Sequence, residues 1–331
     1  MGGAVLDGFH PSSPADNNLL RGNPAEQFDV GDLPGVEKIE WESVNGLQDQ
    51  QRQALTRLSS RGVYWKHPSK SSSVSALYTL FHGGDVEADG NCLFTAALKA
   101  MRLNSTPGEL RKRVVKRFRE DYEGGVCLKE ETDLAIKHLY AADLNEGWGV
   151  HIVQEVKLLA LKSDREDLDE SVGDLVRVGV SREAAAEAVY KERCIAVNDG
   201  NSWAKYMSVT GNVDDEYDII TLQYTQEGLI NVEENRGGSA AAFGDDIAIE
   251  SLATEFKREI FVVQAHGSDA MVGEENCLFF LPHSPRGQVF GPPVFLLMKG
   301  TGWCGAGADH YEPLISFTAP VASQDKAAVV L

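Results

Sequence analysis

Ala88-Asp89-Gly90-Asn91-Cys92-Leu93-Phe94-Thr95-Ala96-Ala97-Leu98-Lys99-Ala100-Met101 sets a polar turn directly before a run that is almost entirely apolar or small. Such a run has no polar stripe to offer solvent, so it predicts a central helix over Cys92–Met101, buried on most of its faces. Cys92 would open that helix, where backbone N–H groups without internal partners and the positive end of the helix dipole favour a thiolate. Gly90 allows a close backbone turn, and the N–H groups of the Asp89 to Cys92 segment could donate to an oxyanion. Most cysteines in apolar runs are inert core side chains, so the chemistry depends on a partner elsewhere in the chain.

Outward from this helix, Glu109 to Tyr122 places Leu110, Val114, Val115, Phe118 and Tyr122 on one helical stripe. Arg111, Lys112, Arg113, Lys116, Arg117 and Arg119 are spread over the rest, and read as a solvated face rather than a nucleic-acid patch. From 126 to about 200 the pattern reads as helical, including Thr132 to Ala142, His151 to Lys162 and Ser181 to Arg193. The run Asp218-Ile219-Ile220-Thr221-Leu222 fits either a strand or a helix edge. Asp245 to Lys257 is an amphipathic helix, and Glu259 to Val263 a strand directly behind it. Strands follow at Cys277 to Leu281, Val294 to Met298 and, last, His310 to Phe317. Helices first and antiparallel strands last make an α+β fold. On the N-terminal side, residues 1 to about 35 are rich in Pro, Gly, Asn and Asp and bury too little to order. One helix is expected between Gly46 and Ser60, before a polar break at Pro68 to Ser73. The resulting division is a largely disordered extension with one short helix over 1–75, a catalytic domain over 76–320 with a helical insertion at about 126–200, and a tail over 321–331.

With 331 residues, 43% of them hydrophobic and 24% charged, the chain has material for one sizeable core plus appendages. Its 31 Lys and Arg against 50 Asp and Glu leave a net charge of -19. That field repels phosphate backbones, which argues against nucleic acid as a main partner, and attracts basic proteins, although it serves solubility equally well. The five cysteines, at 92, 127, 194, 277 and 304, are never spaced as C-x-x-C. Neither a disulfide framework nor a zinc ribbon is indicated, and a reducing compartment is expected, cytoplasmic or nuclear. Met1 to Leu20 lacks the charged and apolar regions of a signal peptide, and no run reaches the roughly 18 apolar residues of a membrane span. Leu6 breaks the myristoylation pattern after Gly2.

Asp89-Gly90-Asn91-Cys92-Leu93-Phe94 with its alanine-rich helix resembles the signature of the ovarian tumour (OTU) cysteine protease family, the deubiquitinases. His310-Tyr311-Glu312-Pro313-Leu314 is similar to the histidine motif of that family. Phe243-Gly244-Asp245-Asp246, the helix through Leu252-Ala253 and the strand Ile260 to Val263 are similar to its helix-strand step. The resemblance spans about residues 80 to 320, in blocks. It implies an OTU-like fold, with the central nucleophile-bearing helix packed against a mainly antiparallel twisted sheet. It places the nucleophile on Cys92, the general base on His310 and the turn aspartate on Asp89. Strand alternation puts Glu312 on the face of His310, where its carboxylate could accept from the second ring nitrogen. The family usually has Asp or Asn there, so Glu312 is a departure, and Asp89 or another residue could share the orienting task. The implied activity is hydrolysis of isopeptide bonds at the C-terminus of ubiquitin, through a thioester and without cofactor or metal. Ubiquitin or polyubiquitin is the implied partner, and a monomer is expected. The alternatives are a catalytically silent ubiquitin-binding module and a protease for another ubiquitin-like modifier.

Other motifs carry less. Gly300 to Gly305 matches G-x-G-x-x-G after a strand, but Pro313 leaves no room for the helix a dinucleotide site requires, so the glycines read as a mobile loop delivering His310. Cys277, His283 and Cys304 have no metal-ligand spacing, and His138, His151 and His266 have no partner motif. Ser181 to Val189 has a faint likeness to half of a ubiquitin-associated helical module, which an alanine-rich amphipathic helix explains.

Overall fold

The computed structural model describes residues 39–69, 72–141, 154–235, 240–266, 278–299, 310–319 and 328–331. The expected disorder of residues 1 to about 35, the Gly300 to Gly307 loop, Cys277, Cys304 and His151 lie outside them. Within them the chain is α+β, with eight α-helices, a seven-stranded sheet and a four-stranded sheet.

In chain order the elements are α1 (Asp49–Arg61), β1 (Val63–Lys66), β2 (Ser75–His82), α2 (Cys92–Met101), α3 (Pro107–Glu123) and α4 (Lys129–Ala141). Then come β3 (Gln154–Leu161), α5 (Arg165–Arg177), α6 (Arg182–Arg193), β4 (Ile195–Ala196), α7 (Gly200–Ser208), β5 (Tyr217–Thr225) and β6 (Gly228–Glu233). The chain closes with α8 (Asp246–Phe256), β7 (Ile260–Ala265), β8 (Leu278–His283), β9 (Val294–Lys299), β10 (His310–Ala319) and β11 (Val329–Val330).

The large sheet runs β11-β1-β2-β10-β9-β7-β8. It is mainly antiparallel, with parallel pairing at β1 with β11 and at β7 with β9. Alternation along its strands divides it between two cores. Ile260, Val262, Val294, Leu296 and Tyr311 face a core shared with α2, α3, α7 and α8. Phe261, Val263, Phe295, Leu297 and Leu314 face the opposite side, where α1 packs with Trp41, Val44 and Leu47. The buried α2 expected from its composition lies directly on β10 and β9.

Three expectations are corrected. His151 to Lys162 is not a helix: the described part carries β3, paired along its length with β5, the run around Asp218 that fitted either structure. The central part of β3 and β5 is buried on both faces. Leu158, Ala160, Ile220 and Leu222 pack on α5 and α6, while Leu159 and Ile219 join the main core. Two-sided burial erases the alternation that marks a strand, so the apolar run read as helix. The described part of 126–200 is therefore a helix-and-strand unit continuous with the main core. Second, residues 39–69 are not a loose extension with one helix, because β1 pairs with β2 and α1 covers a sheet face. Third, β10 is not the last strand: Val329 and Val330, in the expected tail, pair with Val63 and Tyr64. No helix among the described residues is long and apolar enough to cross a membrane.

Candidate active site

Cys92 is the first residue of α2 and His310 the first of β10, so the packing of α2 on β10 brings the ends of both elements together. The backbone N–H of Tyr311 points at the Cys92 thiol, which places the sulfur one peptide unit from His310. Cys92 is 3% exposed. Burial is the largest influence and pushes its thiol up; the N–H groups of Tyr311, Leu93 and Cys92 itself pull it down, and the Asp89 charge adds to the rise. Desolvation thus works against the helix start, which is expected to favour the thiolate, and favours the neutral thiol.

His310, with a side chain 19% exposed, has its Nε2 at 3.7 Å from Glu312 Oε1. That is the approach expected from strand alternation, longer than a hydrogen bond. Glu312 itself is buried, 2% exposed, and its two oxygens accept from His82 Nε2 at 2.6 Å and from Lys299 Nζ at 2.7 Å. Burial works hardest on this carboxyl and against its charge, but the bonds and charges of His82 and Lys299 together hold it below the usual range.

Asp89 does not reach His310. It is exposed, and its Oδ1 accepts the Asn91 N–H at 2.8 Å, closing a local turn. One of the N–H groups expected to face an oxyanion is thus occupied, leaving those of Asp89, Gly90 and Cys92 in the segment. Gly90 has φ +79°, a left-handed conformation, and a Cβ there would lie 2.4 Å from the Ala241 Cβ.

Arg111 is the main residue missing from the sequence reading, which placed it on the solvated face of α3. It is 0% exposed. Its guanidinium donates to the Gly90 carbonyl at 2.8 Å, to Asn91 Oδ1 at 2.9 and 3.1 Å, and to the Met207 and Ala242 carbonyls at 2.9 and 2.8 Å. It also lies over the Phe94 ring, 4.5 Å from the centroid. Burial pulls its pKa down to about 10, partly countered by Tyr206, Asp89, Asp215 and Cys92, and it stays charged at neutral pH. The nucleophile turn is therefore fastened to α7 and to the segment before α8 through one side chain. A signal for this existed, since Arg111, Val115, Phe118 and Tyr122 lie at spacings that share a helix face.

His82 was missed because β2 itself was not anticipated, and Lys299, at the end of the anticipated β9, because only strand register brings it beside His310. Of the weaker candidates, His138 is exposed on α4, His266 is buried edge-on against Phe279, and His283 lies 3.9 Å from Asp246. No protein-family model matches the chain, and no curated protein matches it.

Proposed function

We propose that the chain is an OTU-like cysteine isopeptidase acting on the carboxyl terminus of ubiquitin. The observation that carries the reading is the meeting of Cys92 with the backbone at Tyr311, beside His310 and Glu312, joined to the two motifs that resemble the family. Burial favours the neutral thiol, and on this reading His310 acts as a general base during attack. The Cys92 proton passes to the imidazole as the sulfur–carbon bond forms to the carbonyl of ubiquitin's terminal glycine. The oxyanion is met by backbone N–H groups of the turn at Gly90 and Cys92. The carbon–nitrogen bond then breaks, and the imidazolium gives its proton to the departing lysine amine. Water, deprotonated by His310, cleaves the thioester, and the proton returns to the sulfur. The net charge of -19 suits a substrate whose C-terminal tail is basic.

The test is incubation with ubiquitin bearing a thiol-reactive group at its C-terminus, beside a Cys92→Ala control. A covalent adduct in the wild type and none in the control supports the reading. A folded wild-type protein that stays unlabelled removes ubiquitin as substrate and directs the same test to other ubiquitin-like modifiers.

A further inference from the structure

Four polar side chains share one face of three adjacent strands. Register pairs His310 with Lys299, and Leu314 with His82, and alternation places Glu312 on the face of His310 and Leu314. At His82 and Glu312 this is the sheet face opposite α2, closed over by Trp41, whose ring lies 5.8 Å from that of His82, while His310, the first residue of β10, stands at the strand end. The His82 ring is 1% exposed and its Nδ1 has no partner, so the bond from Nε2 to Glu312 Oε2 at 2.6 Å is its polar contact. A carboxylate only accepts, so this nitrogen carries the proton.

We propose that His82 is a positioning residue for the catalytic base: it anchors the far oxygen of Glu312, so that the near oxygen stays aimed at His310. The proposal rests on the functional reading above, in which His310 is the base, and it accounts for the departure of Glu312 from the shorter residues usual at that place. A glutamate has one more rotatable bond than an aspartate, and would swing unless its carboxylate were held at both ends. His82 holds Oε2, and Lys299 holds Oε1 beside His310. The charged or titratable groups facing this cluster are Lys299 from β9, His310 from β10, and Asp85, which follows β2. His82, Asp85 and Glu312 also bring ligand-type atoms within 4.8 Å of one another, but the ammonium of Lys299 already occupies Glu312, which suits a hydrogen-bonded relay better than a cation.

The test compares His82→Leu, His82→Gln and His82→Asn in the full chain. A glutamine amide reaches the place of Nε2 and can donate to Glu312; an asparagine amide stops near the place of Nδ1. The expected result is a fall in kcat of about tenfold or more for Leu and Asn, in the range seen when outer partners of functional histidines are removed, with KM for a ubiquitin substrate unchanged and with Gln close to wild type. Should Leu fail to fold, the contrast between Gln and Asn carries the same information. A second measurement needs no ubiquitin: ring 15N NMR of His310, assigned with His310→Asn, is expected to show the proton on Nε2 in wild type and Gln, and mixed tautomers in Leu and Asn. Equal kcat and equal His310 tautomers across folded variants would overturn the role of His82. Absence of ubiquitin turnover in wild type, with the tautomer contrast intact, would overturn the substrate and leave His82 in place.

Discussion

Arg111 donates to the carbonyl oxygen of Gly90 across 2.8 Å, from a side chain with no exposure to solvent. A buried guanidinium with no carboxylate ion pair among the described residues is costly to desolvate, and here it is offset by carbonyl and amide oxygens converging from three segments. Lysine is not a substitute, because its point charge has three donors and no planar fork. Arg111→Lys is expected to lower stability by about 2 kcal/mol, since each acceptor left buried and unmet costs about 1–3 kcal/mol. It should also slow labelling of Cys92 by the ubiquitin probe, because the turn loses its fastening. Urea unfolding and labelling rates, measured on the same sample, check both. An unchanged labelling rate in a destabilised variant would reduce Arg111 to a purely structural role.

Gly90→Ala separates two effects that a single substitution usually mixes. Its left-handed φ of +79° costs a residue with Cβ about 1–2 kcal/mol, and the new Cβ would also collide with Ala241. Gly125, between α3 and α4, has φ +69° and open space around it, so Gly125→Ala carries the backbone cost alone. The expectation is a modest and similar loss of stability from the backbone in both variants, with a further loss and a fall in probe labelling of at least about tenfold only in Gly90→Ala, as a small misplacement at a reacting centre is expensive. Equal labelling in the two variants would show that the turn tolerates displacement.

The local signals in the sequence were strong where burial is one-sided or nearly complete. α2 begins and ends where its apolar run does, and α8 follows the Asp245 cap, whose Oδ1 accepts the Ala248 N–H at 2.9 Å. Cys92 and His310 were singled out by the two motifs that resemble the family, and each falls at the first residue of an element. What could not be read was long-range. β3 and β5 lose their alternation by facing two cores, and β1 and β2 declare themselves only through pairing with β10 and β11. For that reason the surroundings of Glu312 were invisible: His82 and Lys299 reach it through register, and register is not written in local periodicity.

The same long-range pairing bears on the segment that looked like a detachable helical insertion. Deleting 128–195 would remove β3, the antiparallel partner of β5, and leave Ile219, Ile220 and Leu222 without cover. It would also remove Tyr140, whose hydroxyl donates at 2.6 Å to Asp245, a buried carboxyl also bonded to Trp203. The deleted protein is expected to aggregate or to lose cooperative unfolding, rather than to keep its fold with altered ubiquitin-chain preference. Circular dichroism melting and size-exclusion chromatography decide this, and a cooperative, monodisperse product would show that the second sheet is dispensable.

Cys92 offers a prediction in pH. Burial raises its folded pKa above that of the unfolded chain, where a thiol titrates near about 8.5. The extra stability from keeping it neutral is therefore complete below that value, and is lost as pH rises through the raised folded pKa. Two outcomes follow from the one shift. Alkylation of Cys92 by iodoacetamide, followed by peptide mass, should keep climbing with pH through the ordinary thiol range, without an acidic plateau. Alkaline destabilisation should be shallower in Cys92→Ala than in wild type, the difference isolating this thiol from Cys194, which burial pushes up to about 11. A plateau of alkylation extending below pH 7 would mean a resting thiolate–imidazolium pair, and His310 would then enter the reaction already protonated, as acid before base.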